Sequence, residues 1–339
     1  MSDTSGRRRP ASERTAATTE QAGERPPVVA VEGLRKTYGD DVRALDGVSF
    51  GIRPGEVVGL LGPNGAGKTT CIKSLLGLVE PSGGTVEVAS VDAQANPRAA
   101  YSRVGAMLEG ARNVYWRLTV RENLEFFAGI AGNAPSTVRD RHDELLERLT
   151  LAEKADEPVR DLSRGMKQKV SLATTLARDV DVVFLDEPTL GLDVESSLEL
   201  RRELDTLATE RDLAVVLSSH DMDVIQDLCD RVVVLSDGEI VADDSVDALL
   251  DLFRTQTYEI SFETPADTDV VPRLRRACDV TSVAHRSTQT TVTVQLENGN
   301  ELPQVTNEVV DAGGQLHGVD TVEPDLEEAF LRITGGELS

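Results

Sequence analysis

The chain has 339 residues, which is long enough for two domains with a full hydrophobic core. Aromatic residues make up only 4% of it, so the core has to be built from Leu, Val, Ala and Ile. No apolar run approaches the ~20 residues that a membrane-spanning helix needs, and the N-terminus lacks the apolar region of a signal peptide. We therefore expect a cytoplasmic protein without a membrane span, in which residues 1–27 form a disordered tail.

The formal net charge is −24, and only six of the 35 basic residues are lysines. Such an acidic surface suits concentrated salt, where the Debye length falls to about 3 Å at 1 M. The composition indicates a halophile, with an ordinary acidic cytoplasmic protein as the alternative. Nucleic acid is disfavoured as a partner because no basic face would neutralise its phosphates. Three unpatterned cysteines indicate a reducing interior, with neither a disulfide framework nor a zinc site.

Short apolar runs alternate with helical patterns from Val28 to about Leu252, which predicts an α/β domain with a parallel sheet. An interval at about 112–177 interrupts the alternation with helical patterns only, and we interpret it as a helical subdomain. The predicted strands are 28–31, 57–61, 104–108, 182–185, 214–218 and 232–235, and the predicted helices of the interval are 119–130, 136–149 and 164–176.

The composition shifts near Leu252, and residues 253–339 form the second predicted domain. Its pattern is β-α-β-β-α-β followed by one more helix, which is the order of a small α+β, ferredoxin-like unit. The predicted strands are 258–262, 280–285, 291–296 and 316–322, and the predicted helices are 270–277, 302–312 and 326–333. We find no motif with catalytic chemistry in this accessory domain.

The most informative segment is the glycine-rich run at residues 62–70, which follows the apolar run at 57–61 and precedes a predicted helix. Strand, glycine-rich turn and helix start form the context of a phosphate-binding P-loop. Backbone N–H groups and the helix N-terminus can hold phosphate oxygens, Lys68 can reach the terminal phosphates, and the Thr69 hydroxyl can bind Mg²⁺. The predicted nucleoside triphosphate site comprises Gly62, Pro63, Asn64, Gly65, Ala66, Gly67, Lys68, Thr69 and Thr70.

Two carboxylates, Asp186 and Glu187, follow the buried strand predicted at 182–185. Ligands of open α/β sheets lie at the carboxyl ends of strands, so this pair can meet the P-loop. We expect Asp186 to hold Mg²⁺ through its water shell and Glu187 to polarise the attacking water. His220 follows another strand at the same edge, where it suits a contact with a γ-phosphate. The alternatives are a solvated acidic turn for the pair and a surface role for the histidine.

Residues 162–168 read Leu-Ser-Arg-Gly-Met-Lys-Gln, in which Ser163 can cap a helix that begins at Arg164. This segment is similar to the signature sequence of ABC-type ATPases, whose usual form is Leu-Ser-Gly-Gly-Gln. The P-loop, the Asp-Glu-Pro-Thr run from Asp186, the Gly-Leu-Asp run that ends at Asp193, and Ser219-His220 occur in the order and spacing of that family. Residues 28–252 therefore resemble an ABC transporter nucleotide-binding subunit.

This resemblance implies a RecA-like P-loop core, an antiparallel β subdomain before the P-loop, and the helical subdomain already described. It implies that Tyr38 stacks on adenine, although a turn tyrosine beside Gly39 is the alternative. It also implies that Ser163, Gly165 and Asp193 reach the ATP bound by a second copy. The family mechanism uses ATP and Mg²⁺, and two subunits close around two ATP molecules and open after hydrolysis.

Three positions depart from the usual family pattern. Glu109 replaces a glutamine and can approach Mg²⁺ and the attacking water, while Arg164 and Met166 replace a glycine and a glutamine of the signature. These departures, and the terminal run at 325–334, resemble the ATPases of ABC-2-type exporters. The segment at 113–119 holds the only Trp of the chain. In the family this region receives the membrane partner, and a hydrophobic staple is the alternative.

The function that these observations predict is an ATPase subunit that powers export from the inner face of the cell membrane. Its expected partners are an integral membrane permease in a separate polypeptide and a second, identical ATPase subunit. The alternative is a non-transport ABC-type ATPase that acts on a macromolecular complex. A single nucleotide unit and the acidic surface disfavour that alternative, and the signature disfavours a P-loop kinase.

Overall fold

The computed structural model describes residues 25–39, 41–108, 114–252, 256–263, 269–286, 289–296, 299–322 and 326–334. The chain divides into two compact units, of which the first runs to Val246 and the second from Asp247 to Leu331. Glu109, predicted to lie at the nucleotide site, falls outside the described residues, as do residues 1–24 of the predicted tail.

The first unit contains ten strands and eight helices among its described residues, counting the helix at the division between the units. The strands are β1 (Val29–Tyr38), β2 (Val42–Ile52), β3 (Val57–Leu61), β4 (Gly83–Val88), β5 (Val91–Asp92), β6 (Val104–Met107), β7 (Val182–Asp186), β8 (Ala214–Ser218), β9 (Arg231–Ser236) and β10 (Glu239–Ser245). The helices are α1 (Lys68–Leu75), α2 (Pro97–Tyr101), α3 (Val120–Ile130), α4 (Pro135–Arg148), α5 (Arg164–Leu176), α6 (Val194–Arg211), α7 (Met222–Leu228) and α8 (Val246–Leu252).

The central sheet has six strands in the order β10-β9-β3-β8-β7-β6, and all neighbours pair in parallel except β10 with β9. Every residue of β3 and β8 is buried, because a parallel sheet is covered on both faces and its strands become continuous apolar runs. The carboxyl ends of β3, β7 and β8 consequently lie at one edge of the sheet. This is the edge from which the P-loop, the two acids and His220 follow.

A second sheet has the order β2-β1-β4-β5 and is antiparallel throughout. For this sheet, the apolar runs predicted a single strand at 28–31 and assigned it to the parallel sheet. That assignment was wrong, because the strand pairs in the antiparallel sheet. β1 runs on to Tyr38 and alternates between buried and exposed residues, so it is covered on one face only. The structure therefore has the antiparallel subdomain that the family resemblance had implied.

The helical subdomain holds α3, α4 and α5, and its described residues contain no strand, as the sequence predicts. Helix α3 begins with a capping box. The Thr119 hydroxyl accepts from the Glu122 N–H at 3.1 Å, and the Glu122 carboxylate accepts from the Thr119 N–H at 2.8 Å. This reciprocal pair satisfies two backbone donors at the helix start and fixes where the helix begins.

The second unit has four strands and three helices among its described residues. They are β11 (Gln256–Glu263), α9 (Val270–Ala277), β12 (Asp279–Arg286), β13 (Gln289–Leu296), α10 (Leu302–Asp311), β14 (Gln315–Val322) and α11 (Leu326–Thr334). The sheet order is β12-β13-β11-β14 with every pair antiparallel, which is the ferredoxin-like arrangement. A separate core contains Ile260, Phe262, Leu274, Val292 and Val294, all of them buried.

Because the second unit has its own core, it should be possible to destabilise it alone. Phe262→Ala removes a fully buried ring and should lower the free energy of unfolding of this unit by about 3–5 kcal/mol. Scanning calorimetry would measure the change, with Val310→Ala at an exposed position as the control. ATP binding by the first unit should persist. A Phe262→Ala protein with an unchanged unfolding profile would contradict this assignment of the core.

Candidate nucleotide site

The loop between β3 and α1 is shaped by glycines that approach neighbouring backbone. Gly65 and Gly67 have φ angles of 89° and 103°, which other residues rarely adopt. A β-carbon on Gly67 would overlap the carbonyl oxygen of Ala44, and one on Gly62 would overlap that of Leu235. The loop is therefore wedged between β2 and the end of β9, and the helix N-terminus that follows it is fixed in place.

Lys68 is the first residue of α1, and its side chain folds back over the loop. Its ammonium donates hydrogen bonds to the carbonyl oxygens of Gly62 and, at 3.2 Å, of Pro63. Burial lowers the pKa of Lys68, and the carboxylates of Glu187 and Asp186 oppose that shift. The structure thus brings the predicted lysine and the two predicted acids within electrostatic reach of one another.

Asp186 and Glu187 are held by the residues that end β8. The register pairs Asp186 with Ser218, and the Ser218 hydroxyl donates to the Asp186 carboxylate at 2.5 Å. The Glu187 carboxylate accepts from the Ser219 hydroxyl at 3.2 Å and from the His220 N–H at 3.0 Å. Its oxygen also lies 2.9 Å from Nδ1 of the His220 ring. Both acids are therefore fixed by hydrogen bonds at the shared sheet edge.

The environments of Glu187 and His220 differ sharply. The Glu187 side chain is 16% exposed, whereas the His220 side chain is 73% exposed. Glu187 also has a φ of 51°, a conformation that costs of order 1–3 kcal/mol for a residue other than glycine. The backbone bond from the Glu187 N–H to the Ser218 carbonyl, at 2.9 Å, helps to hold it. The acid is rigid and the imidazole faces solvent beside it.

The remaining P-loop residues lie where the motif predicts. Pro63, Asn64 and Thr69 are exposed, and Thr70 is half-buried in the first turn of α1. Ala66 is buried, and its N–H donates to the Pro63 carbonyl at 3.1 Å. Thr69 is therefore accessible to solvent in the first turn of α1.

Tyr38 ends β1, and its side chain is 42% exposed. The ammonium of Lys36 lies over the ring, 5.1 Å from its centre, and donates to the Glu80 carbonyl at 2.7 Å. A cation over one ring face is a favourable contact that restrains the tyrosine. An exposed, restrained ring of this kind could stack on a base.

The residues predicted to act on a second copy form a separate group. Ser163 caps α5, with its hydroxyl accepting from the Met166 N–H at 3.2 Å, and Gly165 is buried in the first turn. Asp193 caps α6 and accepts from the Ser196 N–H at 2.8 Å, and this bond lowers the pKa of the Asp193 carboxyl. Among the described residues, none of the three bonds to the P-loop.

Ser218 and the carboxamide of Gln168 were not predicted as site residues. Ser218 holds Asp186, and the Gln168 Nε2 donates to the Pro188 carbonyl at 2.6 Å. Ser218 could have been found from the sequence, because Ser218 and Ser219 are a polar pair that directly precedes His220 at the end of a predicted strand. Gln168 gave no such signal, because its partner is a backbone oxygen that only the tertiary fold brings near.

A glycine loop at the end of a parallel strand, its lysine, and two acids at a neighbouring strand end define a P-loop nucleotide-binding ATPase. The model of the family described as ABC transporter matches residues 45–190. The chain is 34% identical over 318 residues to the Nod factor export ATP-binding protein I of Ralstonia nicotianae, covering 92% of this chain and 95% of that protein. It is 33% identical to the daunorubicin resistance ATP-binding protein DrrA2 of Streptomyces coeruleorubidus, covering 91% and 95%.

Solved structures agree with this result. A structure described as an ATP binding subunit of an ABC transporter is 28% identical, with a TM-score of 0.60 over 67% of this chain and 93% of that one. CbiO1 of Clostridium perfringens is 27% identical, with a TM-score of 0.62 over 66% and 91%. The chain belongs to the ABC transporter family as an ATP-binding subunit, and it hydrolyses ATP to power transport.

Lys68→Ala should abolish ATP binding or turnover, because it removes the ammonium that folds over the P-loop. Nucleotide binding and phosphate release would both be measured. Lys154→Ala, at a surface lysine paired with Glu157, is the matched control and should leave both unchanged. Normal turnover by the Lys68 variant would contradict the assignment of the phosphate site.

Proposed function

We propose that this chain is the ATPase of an export complex. The observation that carries the proposal is the extent of the similarity to proteins named for Nod factor export and daunorubicin resistance. Those matches cover 92% and 91% of the chain and therefore extend through the second unit. One of these relatives is named for export and the other for drug resistance, and outward movement of a compound would serve both roles.

We propose that hydrolysis takes place at the sheet edge described above. The Thr69 hydroxyl and the Asp186 carboxylate are oxygen donors of the kind that Mg²⁺ prefers, together with phosphate oxygens. Bound Mg²⁺ would supply charge neutralisation at the β- and γ-phosphates. Glu187 would orient the attacking water and accept its proton, and the exposed His220 imidazole would contact the γ-phosphate. Glu109 would approach Mg²⁺ and the attacking water, and Tyr38 would stack on the adenine.

A second copy of the chain completes the site in this proposal. Ser163, Gly165 and Asp193 would contact the nucleotide held by that copy. Exposed apolar residues, Leu190 at 44% and Val194 at 78%, flank Asp193 and support an interface there. A cavity of about 520 Å³ beside Glu187 and His220 is lined by the same segment. ATP would favour the closed pair only to the extent that it binds that state more tightly.

The translocation path is proposed to lie in a separate permease. Within the part of the chain that the structure describes, every helix is too short or too polar to span a bilayer. CbiO1 is described as part of a complex, CbiONQ. We propose that this chain also works in a complex, that its partner there is a membrane subunit, and that it acts at the cytoplasmic face of the membrane.

Exposed aromatic side chains in the helical subdomain support a docking surface for that permease. Trp116 is 66% exposed, Tyr115 is 50% exposed, and Ile130 on α3 is 69% exposed. The Tyr115 ring packs edge-on against Phe126, with 4.7 Å between ring centres. Tyr115 is held further by Asn123, whose side chain bonds to both its N–H and its carbonyl. Trp116 therefore projects from a well-fixed segment.

Glu187→Gln keeps the shape of the side chain and removes its charge. It should slow hydrolysis by roughly 10²–10⁴-fold, because the attacking water loses its base, while ATP binding is retained. Size-exclusion chromatography with ATP should show a closed dimer accumulating. Glu153→Gln, at an exposed position, is the control. Rapid turnover by the Glu187 variant would remove this residue from the proposed role.

Trp116→Ala should weaken binding to the permease and leave the basal ATPase rate unchanged, since the residue lies outside the nucleotide site. Binding to membranes that contain the co-expressed permease, and ATPase stimulation by them, would be measured. Val241→Ala, at another exposed apolar position, is the control. Full stimulation of the Trp116 variant would argue against this docking surface.

A further inference from the structure

The end of β1 is bonded to the segment that follows α1. The Lys36 ammonium donates to the Glu80 carbonyl at 2.7 Å. The Ser82 hydroxyl accepts from the Thr37 N–H at 3.1 Å, and the Ser82 N–H donates to the Arg35 carbonyl at 2.7 Å. Three consecutive residues near the end of β1 are therefore attached to this segment.

The same segment is attached to the helix that begins at the P-loop. The Lys73 carbonyl, in the last turn of α1, accepts from the N–H groups of Leu78 and Val79 at 2.8 and 3.1 Å. We name residues 35–38 together with 78–82 the β1 junction. In the proposed function, it joins the strand that carries the base-stacking tyrosine to the helix whose start holds the phosphates.

The Lys36 side chain links the β1 junction to the Tyr38 ring. Its ammonium lies over one face of the ring, and the bond to the Glu80 carbonyl restrains the ammonium there. The Tyr38 hydroxyl forms no hydrogen bond to any residue that the structure describes. The orientation of the ring therefore depends on Lys36, and the ring face away from Lys36 is the one that a base can stack on.

We infer that Lys36 is a positioning residue for the base: it holds the Tyr38 ring in place relative to α1 and leaves one ring face open for adenine. A ring that is held before the base arrives loses less conformational freedom on binding. The P-loop would then bind the triphosphate, and the β1 junction would set how much the base adds to affinity. This inference rests on the proposed stacking of adenine on Tyr38.

A positioning role differs in its consequences from a purely structural one. If Lys36 acts through the ring, its loss weakens the binding of a ligand that carries a base and leaves a bare triphosphate unaffected. If Lys36 only braced α1 through Glu80, both ligands would weaken together. Magnesium tripolyphosphate, which has the phosphates of ATP without its base, separates the two roles.

The first test is the kinetics of ATP hydrolysis by the full-length chain with Lys36→Met, which keeps the side-chain length and removes the charge. The KM for ATP should rise roughly threefold or more, which is the size of a cation–π contact at an exposed site. The kcat, and the inhibition constant of magnesium tripolyphosphate, should stay within about twofold of the wild type. Lys36→Arg should keep the KM within about twofold, because a guanidinium also stacks on an aromatic face.

Lys154→Met, at the surface lysine paired with Glu157, is the matched control and should change none of these constants. An unchanged KM in Lys36→Met overturns the inference. Equal weakening of ATP and tripolyphosphate also overturns it, as does a Lys36→Arg protein that is as weak as the Lys36→Met one.

The second test is a double-mutant cycle on ATP affinity, measured by calorimetric titration. Tyr38→Ala should weaken ATP binding by roughly 5–150-fold, the range that stacking of one base on an aromatic ring supplies. In the Tyr38→Ala background, Lys36→Met should add little, because no ring is left to position. Losses that multiply would show that Lys36 acts independently of the ring and would overturn the inference. Failure of the proposed stacking would look different, because Tyr38→Ala itself would then leave ATP affinity unchanged.

Discussion

The register between β7 and β8 is the constraint on which the site depends. It sets Asp186 opposite Ser218, and the next residues along the two strands, Glu187, Ser219 and His220, then meet by necessity. A slip of one residue would turn every side chain of β7 to the opposite face. Because β7 and β8 are apolar on both faces, the slip is opposed by side-chain packing in the covered sheet and by the cost of drawing the Asp186 carboxylate into it. Packing in the core therefore decides the geometry of the proposed chemistry.

The net charge of the chain opposes nucleotide binding, since a chain of net charge −24 has to bind a polyanion. At physiological ionic strength the Debye length is about 8 Å, so the distant acids are largely screened. The groups close to the phosphates therefore determine how strongly the nucleotide binds. Those groups are the backbone N–H groups of the glycine loop, the start of α1 and Lys68. The nearby carboxylates of Asp186 and Glu187 oppose the effect of burial on the pKa of Lys68. A phosphate that replaces the carbonyls of Gly62 and Pro63 would find the cation already in place.

The sequence predicted those features that leave a periodic or motif signal. The buried strands β3, β7 and β8, the helices of the insertion and the accessory βαββαβ order were all evident, because each is a continuous apolar run or a clear alternation. β2 and β10 were not predicted, since β2 mixes buried, half-buried and exposed residues without a clear period and β10 has no buried residue. The positive φ of Glu187 and the bond from Gln168 to Pro188 were also beyond sequence reasoning. Both features depend on the positions of backbone atoms that are far apart in the sequence, and a local sequence pattern does not predict those positions.

The two departures in the signature segment have different consequences in the structure. Met166 contributes its backbone N–H to the cap of Ser163, so any residue except proline can preserve the cap, and the usual glutamine is not needed for it. Arg164 is different, because its guanidinium occupies the space that a side chain at position 191 would fill. Because an exposed guanidinium can move aside, the φ of 70° at Gly191 is what favours glycine at that position. The departure at 164 places an arginine beside the loop that begins at Glu187, the proposed catalytic acid.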